Sequence, residues 1–177
     1  MNNKAILFGI DYTSSNNLLN EYKSHTNEIY TMKQFLENKF NFKNVEIFTD
    51  VNNNKEVSGR YIIEKLSSII NDSNIYKWDT LWIHFCGYAC VDDEIDGCFL
   101  PKDYKTFGTI KQETFKLIFQ NVYDHTKLIC IFDCCQSKPF NEFKYQYAFE
   151  KDKLVTHKHY KFDSILSKKN IIIITNY

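Results

Sequence analysis

The chain has 177 residues, with 44% hydrophobic and 16% aromatic side chains, enough apolar surface for one sizeable core and too much for a disordered chain. Its 22 basic and 22 acidic residues cancel to zero net charge, and no basic face is readable, so nucleic acid is not an expected partner. Only Arg60 among the basic residues is an arginine.

In chain order, "KAILFGI" (4–10) reads as a short buried strand closed by Asp11. Residues 24–40 carry Ile29, Met32, Leu36 and Phe40 at three- and four-residue steps, which predicts an amphipathic helix. "VEIFT" (45–49) predicts a second strand, and "DVNNN" a turn. A helix over about 58–71 places Ile62, Ile63, Leu66, Ile69 and Ile70 on one face. "TLWIHF" (80–85) predicts a third strand, and "GCFLPKDY" (97–104) a short extended surface segment. A helix over roughly 110–122 turns Phe115, Ile118, Phe119 and Val122 inward. "LICIF" (128–132) is the fourth strand and "IIIIT" (171–175) the last. Segment 138–169 is weakly periodic and reads as a long loop with some helix.

Continuous apolar strands separated by amphipathic helices predict an α/β fold with a mostly parallel sheet covered on both faces. No internal repeat or linker divides the chain, so 1–177 reads as a single domain. The apolar runs at the N-terminus and in "NIIIITN" are too short for a membrane span. The expectation is an intracellular, reducing setting, the cytoplasm first, in which the six cysteines are free thiols. Neither a membrane nor a cofactor is expected.

Sites in open parallel sheets form beyond the carboxyl ends of the strands. Three such ends carry chemistry here: Asp11 after the first strand, "CGYAC" (86–90) after the third, and "DCCQS" (133–137) after the fourth. One reading of the thiols is a metal or redox centre, from the C-x₃-C spacing of Cys86 and Cys90 with Cys134 and Cys135. The spacing is not that of a zinc ribbon, and Cys98 and Cys130 complete no set.

Four ordered stretches carry a resemblance. They are "SHTNEIYTMKQFL" (24–36) with its Asn27-Glu28 pair, "HFCGYA" (84–89), "DDEIDGCFLPKDY" (92–104) and "DCCQSK" (133–138). Together they resemble the large-subunit half of metacaspases, cysteine peptidases of the caspase superfamily. The resemblance implies a caspase-like three-layer α/β/α sandwich. It places Cys135 at the nucleophile position, Tyr88 at that of the catalytic histidine, and Glu28 with Asp133 at the acidic pair that receives a basic P1 side chain. Tyrosine, with a pKa near ~10, is a poor base at pH 7, and loss of a general base costs about 10² to 10⁴ in rate.

The implied function is a metacaspase-like protein with lost or strongly reduced peptidase activity. It would act as a regulatory pseudo-peptidase on a peptide or protein with basic residues, or by associating with itself or an active homologue. The alternative is an active cysteine endopeptidase cleaving after Lys or Arg, with Cys135 as nucleophile and an unusual base. The substitute imidazoles to weigh are His84, His25, His125, His157 and His159; structural or solvated roles are the simpler reading for each. The family's calcium site falls near "KQET" (111–114) and keeps only Glu113, so calcium activation is not expected. The resemblance further implies that a smaller portion of the family fold would follow the last strand, so that half of the substrate groove is absent unless another chain supplies it.

Overall fold

The computed structural model describes residues 1–12, 25–51, 57–92, 95–135, 145–150, 153–158 and 165–175, with Cys90, Cys98 and Cys135 described by their backbone. Gln136, Ser137, Lys138 and His159 lie outside the described residues. Five parallel strands make the sheet: β1 (Asn3–Gly9), β2 (Asn44–Thr49), β3 (Thr80–Asp92), β6 (Lys127–Cys135) and β9 (Ile171–Thr175). Their spatial order is β2-β1-β3-β6-β9. Beyond the parallel part, β3 pairs antiparallel with β4 (Ile95–Phe99), and β4 with the two-residue β5 (Ile110–Lys111).

Helices cover both faces. On one face, α2 (Gly59–Tyr76) and α4 (Gln112–Phe119) bring Ile62, Leu66, Ile69, Phe115, Ile118 and Phe119 against Ile6, Phe8, Ile83, Phe85 and Phe132. On the other, α1 (His25–Phe40) packs Ile29 and Leu36 against Ala5, Leu7 and Cys86. Alternation along each strand sorts neighbouring residues into these two cores. At Gly9 the helix comes so close that a Cβ would stand 2.8 Å from Ile29 Cγ1 and 3.1 Å from the His25 carbonyl oxygen. The missing side chain is what lets the first turn of α1 sit over the end of β1.

The five apolar runs are the five parallel strands, and the three-layer α/β fold is as expected. Several boundaries are corrected. β3 and β6 run on past their apolar runs: the two keep their ladder as far as Tyr88 and Cys135, and β3 goes on to Asp92 by pairing with β4. α2 extends to Tyr76. The 97–104 segment is no surface ribbon: Phe99 is buried against Phe85, and Tyr104–Phe107 forms a short helix, α3. Segment 138–169 contains a hairpin, β7 (Tyr145–Glu150) with β8 (Lys153–Lys158), and a 3₁₀ turn at Ile165–Lys168. Alternating side chains in "YQYAFE" and "KLVTHK" carried that signal. Phe40, read as inward, is exposed and meets Phe35 and Trp82 at the end of α1.

Candidate functional site

The β3–β6 register builds the rim. Cys86 pairs with Asp133, Gly87 with Cys134, and Tyr88 with Cys135. Because side chains alternate, residues 84, 86, 88 and 133 belong to the α1 face, whereas 85, 132 and 134 belong to the α2/α4 face. Cys134 is buried in the α2/α4 core, its sulfur 3.8 Å from the Phe85 carbonyl oxygen. Cys130 is buried in the same core, and burial pushes its thiol well above the usual range. The reading of Cys86 and Cys134 as ligands of one metal centre is therefore corrected: they lie on opposite faces. Cys86, Cys130 and Cys134 are free thiols.

On the α1 face the two predicted acids come together. Glu28, in the first turn of α1, accepts a hydrogen bond from the Cys86 thiol, Sγ to Oε2 2.7 Å. Glu28, Cys86 and Asp133 place ligand-capable atoms within 4.8 Å of one another. Burial, then the hydrogen bond to Glu28, then the charges of Glu28 and Asp133 push the Cys86 thiol far above the usual range. It is a protonated donor at neutral pH. His84 lies two residues before Cys86 on the same face, is buried, and has no hydrogen-bond partner at either ring nitrogen. Burial lowers its pKa, opposed by the charges of Asp133 and Glu28, so its imidazole is neutral.

Tyr88 is held by the chain around it. The Tyr12 hydroxyl donates to the Leu100 carbonyl oxygen at 2.6 Å and accepts the Tyr88 N–H at 3.1 Å. Leu100 N–H in turn donates to the Tyr88 carbonyl oxygen at 3.0 Å. Tyr12 takes a left-handed backbone, φ 56°, and burial raises its phenol well above 10.0. Its ring lies 5.2 Å from that of Tyr88. His25 stands edge-on to Tyr88, with centroids 5.3 Å apart. The His25 Nδ1 atom is 3.7 Å from Asp11 Oδ1.

Asp11 is also structural. Its carboxylate accepts the Thr26 N–H at 3.2 Å and so caps α1, while its own N–H donates to Asp50 Oδ1 at 2.8 Å. His125 and His157 are exposed in the connection before β6 and in the hairpin. Sequence reasoning placed Cys86 at this rim as a thiol for a metal or redox centre, not as a partner of Glu28, and passed over Tyr12 and Asp50. Cys86 was legible, standing two residues from Tyr88 in one strand and so on its face; the Tyr12 contact spans 88 residues of chain and carries no local signal.

A mostly parallel sheet between helical layers, with Asp133 and Cys135 at the end of β6 and Tyr88 paired with Cys135, is consistent with the caspase-like class. A profile described as the metacaspase, peptidase C14 domain matches residues 3–144. The chain belongs to the metacaspase family. It is 27% identical over 165 residues to Metacaspase-1 of Plasmodium berghei, an alignment covering 85% of this chain and 27% of that protein. Metacaspase-1 of Plasmodium falciparum is 28% identical over 165 residues, covering 85% of this chain and 26% of its own length. Metacaspase-2 of Trypanosoma brucei brucei is 24% identical over 95 residues, 49% of this chain and 27% of that one. The chain thus spans about a quarter of the length of these curated relatives. In fold it is similar to the crystal structure of protein GSU0716 from Geobacter sulfurreducens, with a TM-score of 0.57 and 10% identity over 78% of this chain and 52% of that one. No described helix is long and apolar enough to cross a membrane.

Proposed function

We propose that this chain is a metacaspase-family domain whose peptidase chemistry is lost or strongly reduced and which acts by binding. The observation that carries the reading is the pairing of Tyr88 with Cys135 at the ends of β3 and β6. A phenol stands where a base would have to take the thiol proton, and at pH 7 it holds its own proton. Asp133, next but one in the chain, disfavours a thiolate at Cys135 by its charge. The acid pair, by contrast, is intact, with Glu28 and Asp133 gathered around Cys86. Two carboxylates at one rim suit a Lys or Arg side chain of a peptide or protein.

The partner would be a basic segment of another protein, an active homologue, or a second copy of this chain. Association has support at β9, where Ile172 and Ile174 are exposed and the strand is bonded to β6 on one side. Two measurements test the reading. Iodoacetamide should label Cys135 slowly at pH 7, and peptides ending in Lys or Arg should bind without being cleaved. Rapid labelling, with a thiolate pKa well below ~7, sinks it.

A second reading, an active endopeptidase cleaving after Lys or Arg, is favoured by His25. That imidazole touches the Tyr88 ring and lies beside Asp11, an arrangement in which a carboxylate could orient a base. Turnover of a Lys or Arg peptide that is lost in both Cys135→Ala and His25→Ala would favour it over binding alone.

A further inference from the structure

The cluster at the rim holds more than an acid pair. Between Glu28 and Asp133 lies a thiol, and the three donor atoms fall within 4.8 Å of one another. They come from three elements: Glu28 from the first turn of α1, Cys86 from β3, and Asp133 from the register-matched position of β6. The imidazole of His84 adds an independent observation. It is 3% exposed, neither nitrogen has a hydrogen-bond partner, and it lies on the same face of β3 one alternation below Cys86. Its nitrogens are not among the atoms that lie within 4.8 Å of one another, so the ring would have to turn toward the cluster to join it. A buried polar group without a partner is costly, and a cation bound to the ring would satisfy it.

We propose that Cys86, Glu28 and Asp133 form a binding site for a thiophilic divalent cation of the zinc class, with the His84 imidazole as its nitrogen donor. The donor set decides the class. Two carboxylates alone would suit calcium or magnesium, whereas a thiolate and an imidazole select zinc and its neighbours. Donor atoms around such a tetrahedral ion stand roughly 3.3 to 3.7 Å apart. The observed spread needs an adjustment of about 1 Å, within reach of the long, exposed Glu28 side chain.

Loading is a proton exchange. The Cys86 S–H bond breaks, its proton passes by way of the Glu28 carboxylate that already accepts it to solvent, and a sulfur–metal bond forms. The cation and a Lys or Arg side chain would compete for the same two carboxylates, which makes the metal a candidate regulator of basic-ligand binding. The inference uses those carboxylates without resting on the binding reading, because it can be measured with no peptide present.

The experiment is a cobalt titration of the full chain, first stripped with a chelator. One equivalent of Co²⁺ should produce a thiolate-to-cobalt charge-transfer band in the near ultraviolet, bleached by Zn²⁺ and unaffected by excess Ca²⁺. Cys86→Ser should abolish the band, Cys135→Ser should keep it, and His84→Ala should weaken binding by about tenfold or more. No thiolate band in the wild type overturns the proposal, as does a band that survives Cys86→Ser and disappears in Cys135→Ser. Should Cys86→Ser fail to fold, Glu28→Gln on the exposed turn of α1 decides: unchanged cobalt affinity overturns the site. Failed peptide binding with the cobalt band present would refute the basic-ligand reading alone, and the converse result would refute the metal alone.

Discussion

The two faces of β3 and β6 belong to the same residues' neighbours yet have opposite chemistry. On the α2/α4 face, Phe85 stacks with Phe8 at 5.1 Å and with Phe132 at 5.0 Å, and meets Phe99 and Phe115 at tilted angles. On the α1 face, one residue away along each strand, stand His84, Cys86, Tyr88 and Asp133. A single α-helix covers that face among the described residues, and its first turn contributes a carboxylate instead of an apolar side chain. The difference teaches that here stability and chemistry are divided by strand parity. Cys86 and Cys134, on neighbouring strands at the same rim, fall on opposite sides of the division.

Variants on the two faces should therefore behave differently. The largest loss of stability should follow Phe85→Ala, which removes a fully buried ring that meets four others, at about 3–5 kcal/mol in urea denaturation. A cost below 1 kcal/mol would mean that the α2/α4 face is not the stability core. On the α1 face the large effect should be kinetic. Tyr88→His should raise the alkylation rate of Cys135 at neutral pH by about 10² or more, the size of general-base assistance, with little change in unfolding midpoint. No rise in a folded protein would show that residues 88 and 135 do not face each other, and the metacaspase reading of this rim would fall.

Tyr12→Phe joins the two regions, since its hydroxyl ties Leu100 to Tyr88 across the sheet end. Leaving that carbonyl and that N–H without their partner should cost about 1–3 kcal/mol, with an accompanying change in Cys135 reactivity as the position of Tyr88 loosens. A change in neither would leave the bridge without a role. The smallest effect belongs to the charged margin of the α2/α4 face, where Glu46 meets Lys4 and Lys65. Burial opposes ionisation of Glu46, but hydrogen bonds from Lys4 and Lys65 outweigh it and hold its carboxyl below 4.5. A carboxyl lowered on folding adds stability that is present above its unfolded pKa and is lost as pH falls through its folded one. Glu46→Gln should thus cost less than ~1 kcal/mol at pH 7, because the pair is partly solvated, and should reduce the slope of stability against pH below 4.5. An unchanged acid limb would show that the pair contributes nothing.

The sequence by itself determined the alternation of strands and helices, the inward residues of α2 and α4, and the order of the stretches that make the rim. Periodicity is local, so Ile62, Leu66, Phe115 and Phe119 could be assigned to a core without knowing what they touch. Glu28, Tyr88, Asp133 and Cys135 were marked only by the resemblance of the ordered motifs to the family. Strand ends were less legible, because β6 continues past its apolar run on hydrogen bonds with β3, and β3 on hydrogen bonds first with β6 and then with β4. Tertiary structure alone decided which polar residues meet. Register put Cys86 opposite Asp133, close packing at Gly9 brought Glu28 and His25 over the rim, and a buried hydroxyl from Tyr12 reached Tyr88 across 76 residues. Those contacts depend on the pairing of distant segments, and no window of sequence contains both partners.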